Sequence, residues 1–304
     1  MSKKVGIIDI GTNTVLCLKA AIAEDKIDII SDNRYHYRAG RRLDDAGNIS
    51  FEYRTGLRRA VLLALNTLGD CSEIKIVATE VLRKPKDGLK FAGELALEIG
   101  REIKVIDSQE EASFSFNGAT YDLETWEDRI AVIDVGGGST ELAVGIQGEL
   151  KAWSGVKLGA VTACEKVGYE SGVDEYLRAA DEIFASSDFN RFLKPVPDRM
   201  LIVGGSAVSL AAILAGSKSF EPEKIQGFKL MENDLFNLLK KLASMPLSER
   251  KKLMTFDPER ADIIVGGGAI ILSFIRNFGF DFLNVSIYGL RHGLLTNLYG
   301  ERNS

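Results

Sequence analysis

Val5-Gly-Ile-Ile-Asp9-Ile-Gly11-Thr-Asn-Thr14 and Ala131-Val-Ile-Asp134-Val-Gly136-Gly-Gly-Ser-Thr140 are two versions of one pattern. Each runs from an apolar stretch to an aspartate, one further apolar residue, a glycine, and then hydroxyl or amide residues. A second apolar stretch follows each, at residues 15–20 and 142–145. The pattern predicts strand, tight glycine turn, strand: a hairpin with polar groups at its tip. The copies sit 125 positions apart, counting from Asp9 to Asp134. That separation indicates duplicated domains rather than a local repeat.

Between the copies, residues 52–68 carry a helical stripe, with Leu57, Val61, Ala64, Leu65 and Leu68 on one face. Residues 74–79 and 103–106 read as short strands around a helix at about 87–100. The polar segment 121–128 is the expected hinge, dividing the chain into domains at 1–126 and 127–304, with the final helix free to pack back on the first. Past the second copy, residues 200–203 form a buried strand entering Gly204-Gly205-Ser206 and an Ala-rich helix. Residues 234–243 and 261–278 read as helices, and 284–287 as a strand before a last helix. Alternating strands and helices predict an α/β fold, and 304 residues exceed what a single core usually organises.

Apolar residues make up 45% and charged residues 27%, with a net charge of −5. That balance argues against general nucleic-acid binding, which calls for a basic domain; no DNA or RNA partner is expected. Cys17, Cys71 and Cys164 are scattered, without a C-x-x-C spacing, and read as structural thiols in a reducing compartment. The first apolar run is short and broken by Asp9, unlike a signal peptide or membrane span. A cytoplasmic protein without membrane association is the expectation.

A lone Asp-Gly turn is most simply a turn. Two of them on duplicated domains can set carboxylates facing one another across a cleft. Gly136-Gly137-Gly138 permits close backbone approach, and successive N–H groups can cradle phosphate oxygens. Ser139 and Thr140 add hydroxyls, as do Thr12 and Thr14, and Asn13 adds an amide. No Gly-Lys-Ser/Thr follows the glycines, so this is not a Walker A loop.

These segments, together with residues 78–83 (Ala-Thr to Arg83), Glu110-Glu111-Ala112, Asp134 through Glu141, Leu158-Gly159-Ala-Val161, Val203-Gly-Gly-Ser206, Arg260-Ala-Asp262 and Gly289-Leu-Arg291, resemble the exopolyphosphatase / guanosine pentaphosphate phosphohydrolase family. That family is a branch of the actin, heat-shock chaperone and sugar-kinase superfamily. The resemblance runs over nearly the whole chain, in the family's order. It implies two ribonuclease-H-like, actin-type domains with mixed sheets flanked by helices and the site in the interdomain cleft.

What the resemblance implies for the site is equally definite. Glu111 and Asp134 would hold Mg²⁺, with Mn²⁺ an alternative, through oxygen ligands. Glu141 would orient or deprotonate the water that attacks the terminal phosphorus, Glu111 would share in catalysis, and Arg83 would steady negative charge as the bond breaks. Asp9, Gly11, Thr12, Asn13, Thr14, Gly136, Gly137, Gly138, Ser139 and Thr140 would grip phosphoryl oxygens. Gly205 and Ser206 are further phosphate-binding candidates. Direct water attack needs no covalent nucleophile, consistent with a chain that has only two histidines, His36 and His292.

The expected substrate is inorganic polyphosphate, cleaved from its end, with guanosine pentaphosphate as the alternative. A superfamily kinase and a non-catalytic polyphosphate or alarmone sensor are the competing classes; intact Asp134 and Glu141 argue against the sensor. Arginines 34, 38, 41, 42, 54, 58 and 59 face three acids over the same stretch, and Arg38 is the candidate for guiding a phosphate chain. Gly266-Gly267-Gly268 reads either as helix packing or as part of a ligand site. Departures from the family include Arg42 in place of a glycine, which would narrow a channel or add a phosphate contact, and Leu16 in place of a basic residue. The helical C-terminal extension of longer members is expected to be lacking, and a homodimer is an expected state.

Overall fold

The computed structural model describes residues 2–23, 26–37, 42–123, 128–146 and 148–300. Contacts divide the chain into two compact units: Met1–Tyr121 with Leu290–Ser304, and Asp122–Gly289. Sequence reading put the division after residue 126; the contacts put it after 121 and return the last helix to the first unit.

Unit 1 runs β1 (Lys3–Ile10), β2 (Thr14–Ala23), β3 (Lys26–His36), α1 (Phe51–Thr67), β4 (Glu73–Ala78), α2 (Glu80–Arg83), α3 (Gly88–Ile99), β5 (Lys104–Val105) and α4 (Ser108–Ala119). Unit 2 follows with β6 (Arg129–Val135), β7 (Thr140–Ile146), β8 (Glu149–Val156), α5 (Ala160–Val167), α6 (Val173–Ala185), α7 (Phe189–Phe192), β9 (Arg199–Val203) and α8 (Gly205–Leu214). It continues through α9 (Pro222–Ile225), β10 (Lys229–Met231), α10 (Glu232–Ser244), α11 (Leu247–Leu253), α12 (Ile264–Phe278) and β11 (Phe282–Val285). The last helix, α13 (Leu290–Tyr299), belongs to unit 1, packing on α4, β1 and β2.

The two sheets repeat one plan. In unit 1 the order is β3-β2-β1-β4-β5, and in unit 2 β10-β11-β9-β6-β7-β8. Each starts as an antiparallel three-strand meander whose first strand then pairs in parallel with a later one: β1 with β4, β6 with β9. The mixed-sheet, ribonuclease-H-like expectation holds in both units.

Strand alternation decides which face each residue serves. In unit 1, Ile8, Ile10, Val15 and Cys17 pack under α1 and α3 with Tyr53, Leu57, Val61, Phe91 and Leu95. On the other face Val5, Ile7, Leu18 and Ala20 meet Phe114 of α4 and Leu290, Leu294 and Leu295 of α13. In unit 2, Ala131, Ile133, Val135, Leu142 and Val144 join α5, α6, α8 and α12 in one large core. The aspartates of the repeat, Asp9 and Asp134, fall out of phase with Ile8 and Ile133, so each points from the face opposite the α1-side or α5-side core.

Helix α1 starts where Ser50 caps it, its side chain accepting from Tyr53 N at 3.3 Å. Helix α12 starts three residues later than its apolar run because Pro258–Arg260 close a 3-10 turn first. Strands β3 and β8 and helices α5 and α6 are among the elements that escaped the sequence reading. Strand β3 is an edge strand whose residues are half-buried or exposed. Strand β8 is another such edge, and α5 is only eight residues long. Helix α6 does carry a readable stripe, Val173, Tyr176, Leu177, Ala180 and Phe184. Among the described residues, no helix is long and apolar enough to cross a membrane. Cys17 and Cys164 are buried, Cys71 half-buried, and none of the three is in a disulfide.

Candidate active site

The second glycine turn is built by β6 and β7. Their register sets Asp134 directly opposite Glu141 and Val135 opposite Thr140. Directly opposed residues share a face, with Cβ atoms about 5 Å apart, so the two carboxylates stand side by side at the tip. Glu141 is 5% exposed, and its partner on β8 is Gly155. Like charges in such a pair disfavour one another. A fold that keeps them there has a use for concentrated negative charge, such as holding a cation or accepting a proton.

The turn between these strands has its carbonyls accounted for. Gly136 N donates to Ser139 O at 3.0 Å, and Ala160 N to Gly136 O at 2.9 Å. Val161 N and Thr162 N both donate to Gly137 O, at 2.8 and 3.2 Å. Thr162 Oγ1 reaches Gly138 O at 3.1 Å. Helix α5 thus lays its first-turn amides on the turn. This approach needs Gly159 at the helix start, since a Cβ there would come within 2.5 Å of Gly137 C. In a trans peptide the N–H points opposite the preceding C=O. With the carbonyls of 136–138 turned toward α5, the N–H groups of 137–139 are turned away from it. Among the described residues nothing accepts from those three amides. Successive amides left open in this way are an arrangement that can cradle an anion.

The first turn repeats the geometry with different partners. Asp9 sits opposite Leu16 and Ile10 opposite Val15, so Leu16 is the positional counterpart of Glu141. Gly11 N donates to Thr14 O at 3.0 Å and Tyr37 N to Asn13 O at 3.5 Å. The phenol of Tyr37 donates to Gly11 O, and that of Tyr53 to Thr12 O. Thr12 Oγ1 donates to Glu80 Oε2 at 3.4 Å, and Glu80 in turn meets Arg42 Nη1 at 3.1 Å and Lys84 Nζ at 3.1 Å. Arg42 and Glu80 are both buried. Arg42 therefore neutralises a carboxylate behind the turn instead of contributing the channel or phosphate contact expected of it. Asn13 Nδ2 lies 3.4 Å from His36 Nδ1.

Arg83 and Glu111, far apart in sequence, are brought together. Arg83 Nη2 bonds Glu111 Oε2 at 3.0 Å while Nη1 donates to Ile106 O at 2.6 Å. Helix α4 separates the two members of the Glu110-Glu111 pair. Glu110 closes an N-terminal box with Asp107, accepting from Asp107 N at 3.2 Å while Asp107 Oδ1 accepts from Glu110 N at 2.9 Å. Glu111, one residue on, is buried against Arg83. Asp107-Ser-Gln-Glu110 was the sequence signal that could have located this helix and its inward-facing acid.

Three other candidate ligand residues, Thr140, Gly205 and Ser206, are closely packed within unit 2. Thr140 is fully buried and its hydroxyl donates to Leu158 O at 2.6 Å. Ser206 is fully buried against Gly267 of α12, and Gly205 lies under the guanidinium of Arg260, which Asp257 anchors at 3.0 Å. Gly266-Gly267-Gly268 is helix packing: side-chain atoms of Cys164, Ser206 and Leu239 occupy the space a Cβ would need. Gly204, at φ +104°, is different; a Cβ there would meet Val135 O at 2.6 Å and Asp134 Oδ1 at 3.3 Å. It fixes the entry of α8 beside the Asp134 carboxylate. Arg54 and Arg58 pair with Asp87, Glu94 and Glu98 along α3; Arg38 and Arg41 lie outside the described residues. Sequence reading missed Tyr37, Tyr53, Glu80 and Thr162, none of which stands inside a glycine motif.

Two units of this sheet order, each with a glycine turn and a carboxylate at the end of its first strand, define the actin-like class. Comparison with known proteins is more specific. Residues 20–301 match the model of the Ppx/GppA phosphatase family, and the chain belongs to that family. It is 25% identical to Exopolyphosphatase 2 of Mycobacterium tuberculosis over 98% of this chain and 99% of that one. It is 24% identical to the guanosine-5'-triphosphate,3'-diphosphate pyrophosphatase of Vibrio parahaemolyticus, over 97% of this chain and 59% of that protein. Among solved structures, the Aquifex aeolicus Ppx/GppA family member superposes with a TM-score of 0.79 at 24% identity, covering 98% of each chain. An exopolyphosphatase from Cytophaga hutchinsonii superposes at 0.86 and 20% identity, over 98% of this chain and 100% of that one.

Proposed function

We propose that this chain is a phosphohydrolase that releases terminal phosphate from inorganic polyphosphate by direct attack of water. The observation that carries the reading is the Asp134–Glu141 pair, set side by side on opposed strands at the mouth of a turn whose amides face outward. An acid beside an anion cradle can take the proton of an attacking water, and amides fixed in advance stabilise phosphoryl charge without reorganising.

Asp134 and Glu111 offer hard carboxylate oxygens, the donor type magnesium takes. Among the described residues no cluster of three or more His, Cys, Asp or Glu side chains forms a ready-made metal cage. Magnesium usually takes one or two carboxylates and completes its shell with water and phosphate oxygens. When bound, the ion would supply charge neutralisation for the phosphoryl oxygens. Glu141 would accept the proton, the amides of 137–139 and of 12–13 would bind oxyanions, and Arg83, held by Glu111 and Ile106 O, would balance charge.

A second reading, guanosine pentaphosphate 5'-phosphatase, is favoured by the Vibrio relative named for that nucleotide substrate. Phosphate release with Mg²⁺ from long-chain polyphosphate, guanosine pentaphosphate and ATP, at equal terminal-phosphate concentration, separates the two. Preferential release from polyphosphate, lost with EDTA, is the expected result. Preference for the nucleotide selects the second reading. Release from none of the three would refute a hydrolase of this kind.

A further inference from the structure

We propose that Tyr37 and Tyr53 are positioning residues of the first glycine turn, holding the carbonyls of Gly11 and Thr12 so that the amides of Thr12 and Asn13 face an incoming phosphoryl oxyanion. The inference rests on the phosphohydrolase reading of the same site and adds residues that no motif contains.

A buried tyrosine hydroxyl usually finds some partner, so one such bond would say little. Here two phenols from different elements, one just past β3 and one in the first turn of α1, choose carbonyls of consecutive residues in a four-residue turn. Their rings stand edge to face, centroids 5.1 Å apart at 74°, so each ring fixes the other. Both are at most 5% exposed. Tyr37 contributes twice, since its own N–H takes Asn13 O.

Planarity of the peptide carries the argument to the ligand. Fixing the C=O of Gly11 fixes the N–H of Thr12 on the opposite side, and fixing Thr12 does the same for Asn13. Among the described residues no acceptor meets either amide. Burial, then the neighbouring Tyr53, push the Tyr37 phenol well above its ordinary range, so the hydroxyl keeps the proton it donates. The second turn supports the assignment independently. There the same carbonyls, one to three residues past the aspartate's neighbour, are held by the first-turn amides and Thr162 hydroxyl of α5. Unit 1 reaches the same peptide orientation with phenols because α1 begins farther along the chain, after a 14-residue stretch (37–50) following β3.

The test compares Tyr53→Phe and Tyr37→Phe with Tyr35→Phe. The Tyr35 hydroxyl bonds Thr67 Oγ1, away from the turn, so its loss reports the stability effect of removing a comparable phenol. Each variant is assayed for thermal stability, for KM and kcat on polyphosphate, for inhibition by inorganic phosphate, and for binding of tripolyphosphate by calorimetry. A lost hydrogen bond to an oriented group corresponds to about a tenfold change. The expected result is KM, the phosphate inhibition constant and the tripolyphosphate Kd each raised about tenfold in Tyr53→Phe and Tyr37→Phe. Tyr35→Phe should keep all three, whatever its melting temperature. Phe variants that melt earlier but bind phosphate and tripolyphosphate normally would overturn the proposal and leave the tyrosines as packing. Wild-type protein that binds tripolyphosphate but releases no phosphate would refute the hydrolase while the brace is still read from the Kd. Wild-type protein that binds no tripolyphosphate would overturn both.

Discussion

The two glycine turns have the same backbone and different chemistry. In both, the first glycine's N–H closes onto the carbonyl three residues on at 3.0 Å, and an aspartate stands two residues before that glycine, next to last in the incoming strand. Unit 2 opposes its aspartate with Glu141, whereas unit 1 opposes Asp9 with Leu16. Unit 2 props its turn with helix amides; unit 1 uses two phenols and a buried Glu80–Arg42 pair that the exposed Lys84 also reaches. Duplication has kept the part that orients amides and let everything around it diverge. On the proposed reading, unit 2 would carry the proton chemistry and unit 1 would supply a second anion-binding turn.

The sharpest way to break this division of labour is Glu141→Gln, which keeps size and hydrogen bonding while removing the base. Turnover is expected to fall by about 10²–10⁴-fold, with tripolyphosphate Kd changed less than about threefold, a shift worth under 1 kcal/mol. Near-normal turnover would remove Glu141 from the mechanism and, with it, the asymmetry between the turns.

The next effect concerns the charged support behind the first turn. Arg42→Ala leaves Glu80 buried with only the Thr12 hydroxyl and the exposed Lys84, and breaking one side of a buried pair is expected to lower stability by about 3 kcal/mol. Adding Glu80→Gln should recover much of that loss, because the uncompensated charge goes with it. Chemical denaturation of the two variants measures the difference. Equal stability of single and double variants would show that Arg42 is held by packing, not by its carboxylate.

Gly159→Ala attacks the corresponding support in unit 2. Its Cβ would sit within 2.5 Å of Gly137 C and 2.6 Å of Gly138 N, against backbone that cannot rotate aside. Overpacking of this sort destabilises by about 1–3 kcal/mol, and the displaced amides should raise the tripolyphosphate Kd as well. A variant with native affinity would mean that α5 stabilises the fold without setting the turn.

Much of this arrangement was legible in the sequence because the repeat is local. Apolar run, aspartate and glycine fall within ten residues, so Asp9, Gly11, Asp134 and Gly136–Gly138 could be placed at strand ends without any long-range information. The hydroxyl residues of the same motifs were harder. Thr140 and Ser139 look alike in sequence, yet strand alternation buries one onto Leu158 O and leaves the other half-exposed. Gly205 and Ser206 read as a ligand turn, and what packs on them, Arg260 and Gly267, comes from 55 and 61 residues away. Tyr37, Tyr53 and Glu80 were invisible for the same reason: nothing near them in sequence shows that the turn is their partner. Glu111 stood out only through resemblance, until α4 and its Asp107–Glu110 box turned it inward toward Arg83.

Acid should expose a smaller difference between the units. In unit 1, α13 presents Arg291 to Asp32 of β3, with Nε to Oδ1 at 2.8 Å, and sets His292 Nε2 3.6 Å from Oδ2. Burial, then the Arg291 charge, lower His292 to about 3, against the smaller pull of Asp32. Between pH 6.5 and about 3 the unfolded chain therefore takes up a proton at His292 that the folded unit does not. Stability must fall as pH falls through that window. Burial opposes the charge on Asp32, but Arg291 outweighs it and the carboxyl ends below its ordinary value, so its contribution is lost later, below the unfolded value of 3.8. Among the described residues, unit 2 has no histidine to titrate in the higher range. Melting followed from pH 7 to pH 4 should show a falling transition whose slope flattens in His292→Gln. An unchanged slope in that variant would place the acid sensitivity elsewhere and make the two units equivalent in this respect too.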